Sequence, residues 1–320
     1  MRELNLIVLS LVCSTVILKG TDAQGVESIH SRLMEISYVA RVDEVPQDAK
    51  ELKIWIPLPR SNDQQEIDDI EIRGPETYRI TTEPKYGNRM VFFSVSNPPS
   101  EVEVEIRFKA KRVECSPHHR SSKDEKLVGY ALQAEELVPL SDDIRARASK
   151  YTAGRETVKE KARALYDHTL EHMKYDKSGT GWGRGDYRFA CDVGTGNCTD
   201  FHAYFIGLCR NIGIPAYFEI GLTIPTDAPE GETGAYHCWA YYWDDEWIPV
   251  DISEADKHPQ MSEYFFGNHD ENRLAFSIGR DLVLEPPQNG EPLNYFIFPY
   301  AEVDGRVHDK VSKITSYKNM

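Results

Sequence analysis

The chain has little that would suit a membrane span, a nucleic-acid binder or a metalloprotein. Its apolar stretch at residues 4–18, LNLIVLSLVCSTVIL, holds 15 residues, short of the ~20 that a helix needs to cross a bilayer. Basic side chains are outnumbered: 37 Lys and Arg face 52 Asp and Glu, a formal net charge of −15. Such a surface repels phosphate backbones and anionic lipid, so nucleic acid is excluded as a partner, as is docking on a membrane. Cysteine is sparse, with six in 320 residues, and no two form the C-x-x-C pair typical of structural zinc, so no metal is expected. The glycine-rich GTGWGRGD lacks the Gly-Lys-Ser/Thr ending of a phosphate loop, and no nucleotide cofactor is implied. There is no internal repeat and no low-complexity tract.

What is present begins with a targeting pattern. Arg2 precedes the apolar stretch, polar chain follows it, and TDAQ offers cleavage after Ala23. Residues 1–23 read as an export signal, which implies a periplasmic or secreted protein. Cleavage would remove Cys13 and leave Cys115, Cys191, Cys198, Cys209 and Cys238. Five is odd, so in an oxidising compartment one thiol stays free or pairs with another molecule. If Cys198 is the free one, the rest allow two disulfides in three connectivities, or they are simply buried thiols.

Residues 28–115 alternate in period two. Met34, Ile36, Tyr38, Ala40 and Val42 form one face, as do Leu52, Ile54, Ile56 and Leu58, and again Val102, Val104, Ile106 and Phe108. Half-buried antiparallel strands are expected, in a small all-β sandwich. Residues 116–127 read as an exposed linker, and 128–320 as a second, catalytic domain. There the period lengthens: Val158, Ala162, Leu165, Tyr166, Thr169 and Met173 share one face of an amphipathic helix. A long glycine-rich loop follows, and then a helix whose buried stripe is Phe201, Phe205, Leu208 and Ile212, stopped at Gly213.

The second helix opens on Cys198, directly after the glycine-rich turn. A thiol at a helix start is favoured as thiolate by the unpaired backbone N–H groups. Thiol catalysis also needs a histidine to move the proton and a third group to hold that histidine's tautomer. YHCWAYYWDDEWIPVDI supplies both, as an aromatic hairpin around DDE. With the turn near Asp245, facing positions sum to about 490. His237 and Asp251 are then on one face, neighbours at roughly 5–8 Å along the backbone, and a slip of one residue would separate them.

Three motifs in order, GNCTDFHAYFIGLCRNIGIPA, YHCWAYYW and WIPVDISEADKHP, closely resemble the transglutaminase-like family of bacterial thiol enzymes. The resemblance is specific over residues 155–260 and extends more weakly, through FSIGRDL and FPYAEVDG, to about residue 305. The N-terminal β region is similar to an appendage that some bacterial members carry. The resemblance implies an α+β fold with a papain-like core. It also implies Cys198 as nucleophile, His237 as general base and acid, and Asp251 as orienter. In transglutaminases a tryptophan upstream of the cysteine donates its indole N–H to the oxyanion, and Trp182 is the candidate for that position. The backbone N–H of Cys198 is the other expected oxyanion donor.

The expected reaction is attack on a protein or peptide amide, cell-wall peptide included, to give a thioester with no cofactor. Water would then complete a peptidase or amidase cycle. An amine acceptor would instead make the enzyme a crosslinking transglutaminase. A non-catalytic binding module is the reading of another class, and it predicts no activated thiol.

Overall fold

The computed structural model describes residues 30–75, 77–116, 125–234 and 236–320. The expected signal segment lies outside them, as does most of the expected linker. The N-terminal part folds as β1 (Ser31–Val42), β2 (Glu51–Leu58), β3 (Gln65–Arg73), β4 (Tyr78–Thr82), β5 (Arg89–Ser96) and β6 (Val102–Val113). Next come α1 (Glu125–Tyr130), α2 (Asp142–Tyr151), α3 (Val158–His172), β7 (Lys174–Tyr175), α4 (Tyr187–Val193) and β8 (Thr195–Gly196). The central run is α5 (Cys198–Asn211), β9 (Ala216–Thr223), β10 (Glu230–Glu232), β11 (His237–Trp243), β12 (Trp247–Val250) and α6 (Ile252–Lys257). The chain closes with β13 (Arg273–Ile278), β14 (Tyr300–Val303), β15 (Arg306–His308) and β16 (Val311–Asn319). The architecture is α+β, and no helix among the described residues is long and apolar enough to cross a membrane.

Two five-stranded sheets, ordered β10-β16-β1-β6-β3 and β15-β14-β2-β5-β4, share one core. The period-two residues fill it: Met34 to Val42 from β1, Leu52 to Leu58 from β2 and Val102 to Phe108 from β6 are all buried at alternate positions. Each fully buried side chain of this size contributes about 1.5–3 kcal/mol of hydrophobic stabilisation. β2 is buried on its second face too. Trp55 points away from the sandwich core, packs on Phe92 and Tyr300, and donates its indole N–H to the Pro286 carbonyl at 2.8 Å. With Met90 and Phe92 it joins a second apolar cluster that includes Tyr217, Trp239, Trp247 and Ile278. The sandwich is thereby packed against the sheet that carries the site.

The expected division into 28–115 and 128–320 does not follow the strand pairing. β14 pairs with β2, Ala301 opposite Ile54, and β16 pairs with β1, Thr315 opposite Tyr38. The last strands of the expected catalytic domain complete the N-terminal sheets. Pairing across more than 200 residues leaves no mark in a local hydrophobic pattern, so the sequence shows strands at the tail but not their partners.

The third sheet, β12-β11-β9-β13, and helix α5 extend that same buried core, through Phe201, Phe205, Ile220 and Leu274 among others. α3 has a capping box: Thr157 accepts from the Glu160 N–H, and the Glu160 carboxylate returns to the Thr157 N–H. Its expected apolar stripe is buried except for the partly covered Val158. α5 is more enclosed than its stripe suggests. All fourteen residues are buried, because α2, α3 and α4 cover it on some sides and β9 and β11 on others. It ends as expected, with Gly213 at φ +80°, a conformation that costs glycine nothing.

Candidate active site

The start of α5 is built to present a cysteine. Asn197 is the N-cap, and its Oδ1 accepts the Thr199 N–H at 3.0 Å. Asp200, three residues on, accepts the Asn197 N–H at 3.0 Å and so closes a capping box. The Asn197 carbonyl takes the Asp200 and Phe201 N–H groups. That leaves the N–H of Cys198 as the amide of this first turn with no acceptor among the described residues.

Asp200 does more than cap. Its carboxylate also accepts the Gly183 N–H at 2.7 Å and the Gly185 N–H at 3.0 Å. From the other side the buried Arg280 donates to the carbonyls of Gly185 and Arg184, at 2.7 and 2.8 Å. The loop at 182–185 is therefore a pinned wall beside the nucleophile. Gly183 and Gly185 lie at φ +89° and +63°, which explains the glycine content of the segment.

The hairpin has the expected register. Ala240 faces Val250, Tyr241 faces Pro249 and Trp243 faces Trp247, so each pair sums to 490. His237 opens β11, while Asp251 stands just past β12 as the N-cap of α6, its Oδ1 accepting the Glu254 N–H at 3.0 Å. The two side chains meet, with His237 Nε2 2.7 Å from Asp251 Oδ2. His237 and Cys238 both stand close enough to the Cys198 thiol to act on its ionisation. Since Nε2 is committed to Asp251, Nδ1 is the ring atom left for the thiol. The three residues are 3, 4 and 0 % exposed in chain order, so their charges act on one another through protein rather than water.

The electrostatics divide the pair. Burial of Cys198 opposes the thiolate, but hydrogen bonds from Cys238 and His237 and the charge of His237 overrule it, and the thiol sits well below its usual range. Burial of His237 opposes its cationic form, but the Asp251 carboxylate and the Cys198 thiolate raise it to about 10. Asp251 would be pushed up by burial, yet His237 and Arg273 hold it well below the usual carboxylate range. Both shifts favour a thiolate facing an imidazolium, the state in which a cysteine is a nucleophile.

Several partners escaped sequence reasoning. Arg273, from β13, donates to Asp251 at 2.8 Å and to Asp270 at 2.5 Å while almost fully buried. His202 lies one turn into α5. Its Nε2 accepts the Ile252 N–H at 3.1 Å, so its proton is on Nδ1, which donates to the Cys198 carbonyl at 2.7 Å. It ties the nucleophile's helix to the residue after Asp251. Cys238 sits between them, its sulfur 3.8 Å from His202 Nδ1. His202 and Cys238 are visible in the sequence only as extra metal-type residues. Arg273 carries no local signal, because its partner is 22 positions away on another element.

Trp182 is not placed as the resemblance implies. Its indole N–H donates to the Gly179 carbonyl at 2.9 Å, within its own loop. The turn at 179–182 is tight enough for the ring to close on the backbone behind it, and spacing does not reveal this. Trp182→Phe is accordingly expected to keep kcat within about threefold of wild type, far from the 10²–10³ loss that follows removal of an oxyanion donor. Steady-state kinetics of the variant check this. Among the described residues Cys191, Cys198, Cys209 and Cys238 are free thiols, and all but Cys191 are buried.

Residues 145–252 match the family model described as the transglutaminase-like superfamily. Over 307 residues the chain is 25 % identical to an uncharacterized protein of Haemophilus influenzae, covering 82 % of this chain and 83 % of that one. It shares its fold with the crystal structure of a protein of Cytophaga hutchinsonii provisionally described as a cysteine protease. That similarity has a TM-score of 0.61 and 15 % identity, and it covers 91 % of each chain.

Proposed function

We propose, from the match of residues 145–252 to the transglutaminase-like superfamily model, that the protein is an exported thiol hydrolase of peptide or side-chain amides. The observation that supports it most is the buried thiol at a helix N-terminus, beside a histidine whose Nε2 is held by a carboxylate.

The cycle uses groups already in place. The Cys198 thiolate forms a C–S bond to the carbonyl carbon, and the carbonyl π electrons move onto oxygen beside the unpaired Cys198 N–H. The tetrahedral species collapses as the C–N bond breaks, and His237 gives its proton to the departing amine. The product is a thioester and a neutral imidazole. His237 then takes a proton from water as that water attacks the thioester, and collapse releases a carboxylic acid and restores the thiolate. Asp251 keeps the histidine ring oriented and stabilises its charge throughout. An amine in place of water gives transamidation by the same residues. Hydrolysis is preferred because an exported enzyme meets wall and protein amides in abundant water. The N-terminal segment supports export.

The test is to supply glutamine-containing and cell-wall peptides with and without a fluorescent primary amine. Acid product that forms at the same rate with the amine present supports hydrolysis. Amine incorporation at the expense of acid replaces it with crosslinking, and no turnover by an intact thiol would favour a binding module.

The ion pair has its own signature in pH. Cys198 is depressed and His237 raised, so the thiolate–imidazolium state persists between the two values. Alkylation of Cys198 by iodoacetamide, read by mass spectrometry, is expected to be flat from about pH 6 to pH 8, where an ordinary thiol of pKa about 8.5 gains steeply. In His237→Ala the midpoint should move up toward or beyond the ordinary value, since burial then acts without the compensating cation. A midpoint near 8.5 in wild type would remove the activated pair.

A further inference from the structure

With the Trp182 indole N–H donating to the Gly179 carbonyl, the Cys198 N–H is the one oxyanion donor identified so far among the described residues, and preorganised oxyanion sites combine several donors. The residue placed to supply another is Tyr236. It immediately precedes His237, and its phenol oxygen accepts the Asn197 Nδ2–H at 2.8 Å. Asn197 is the residue before the nucleophile and the cap of its helix. A phenol that accepts a hydrogen bond is a stronger donor through its own proton. Tyr236 is only partly buried. A Cβ built on Gly183 would lie 3.4 Å from Asn197 Nδ2 and 3.9 Å from the Tyr236 hydroxyl, ordinary contact distances, so both groups stand beside the Gly183 backbone in the wall next to the nucleophile. The neighbouring Tyr295 phenol is the other acceptor in reach of the Tyr236 proton, and a neutral phenol competes poorly with an oxyanion.

We propose that the Tyr236 hydroxyl is a catalytic residue, the second hydrogen-bond donor to the oxyanion formed when Cys198 attacks a carbonyl, with the Asn197 amide as its positioning residue. This rests on the acyl-transfer reading of the site. It takes the role that the resemblance gives to a tryptophan and moves it to the strand that carries His237.

The experiment compares two reactions of the same thiolate in wild type and Tyr236→Phe. Acylation by p-nitrophenyl acetate forms a C–S bond at the ester carbonyl, passes through an oxyanion, and expels p-nitrophenolate. Alkylation by iodoacetamide displaces iodide at a saturated carbon and forms no oxyanion. Both are read at Cys198 by peptide mass mapping. The expected result is acylation slowed about 10²–10³-fold, with alkylation within about twofold of wild type. Acylation that stays within about threefold overturns the proposal. So does a parallel fall of both rates, since loss of the Asn197 contact that merely disturbed the helix start would slow the two together. If wild-type Cys198 is alkylated but never acylated, the acyl-transfer reading itself fails and this proposal falls with it. Acylation in wild type with an indifferent Tyr236→Phe removes this proposal alone.

Discussion

Cys198→Ala is expected to abolish amide turnover, a loss on the order of 10⁶ in kcat when a covalent nucleophile is removed, while the protein still unfolds cooperatively. The catalytic part follows from geometry. Cys198 is the thiol on which His237 acts, and its buried neighbours in the core are shifted the other way. Burial pushes the Cys209 thiol up, above any useful range, and Cys238 is raised by burial and by the Cys198 thiolate beside it. Neither can replace it. The structural part follows from what alanine keeps. The Asn197 cap, the Asp200 return bond and the four bonds from Asp200 and Arg280 to the 182–185 loop all use atoms other than the Cys198 sulfur. Loss of one small buried side chain should change stability by about 1 kcal/mol. Turnover on a verified amide substrate and a thermal unfolding curve measure the two halves. Turnover equal to wild type would exclude the thiol mechanism.

Asp251→Asn is expected to be the next most damaging change, and it should cost both activity and stability. Asp251 Oδ2 serves His237 at 2.7 Å and Arg273 at 2.8 Å, while Oδ1 serves Ser253 and the Glu254 N–H. Asparagine keeps the shape and can keep the helix cap through its one carbonyl oxygen. Its NH₂ then faces His237 and Arg273, two groups that both donate. The histidine can answer only by placing its proton on Nδ1, toward Cys198, which is the wrong tautomer for the relay. The loss in kcat should be about 10⁴. Arg273, which is 2 % exposed, would retain only Asp270, and breaking one side of a buried pair costs about 3–5 kcal/mol. Chemical denaturation with kinetics on the folded fraction separates the two effects. A kcat within tenfold of wild type would show that Asp251 does not orient the base. Asp251→Ala should be worse in stability, since it removes the cap of α6 as well, worth about 1 kcal/mol more.

Much of the site could be read before any coordinates. The hairpin is the clearest case. Its aromatic, β-branched strands and the turn at Asp245, which adopts φ +60°, set a register by short-range chemistry alone, and the pairs sum to 490 as counted. Cys198 at the start of α5 was legible for the same reason, because a glycine-rich turn, an apolar stripe and a glycine stop lie within one helix length. Trp182 shows the limit. Its number and its place upstream of the cysteine matched a family role, yet a backbone carbonyl three residues away took its N–H. Motif order does not record where a side chain in an irregular loop turns.

The sequence by itself determined the local periods, the helix caps, the hairpin register and hence the meeting of His237 with Asp251, because each rests on interactions between residues a few positions apart. Only the tertiary structure decided that β14 and β16 return to the N-terminal sheets, that α5 is enclosed on every side, and that Arg273 and Tyr236 gather around the nucleophile. Those contacts join elements far apart in the chain. Their free energy comes from burying and pairing groups that no local pattern brings together, so they exist only once the whole chain has packed.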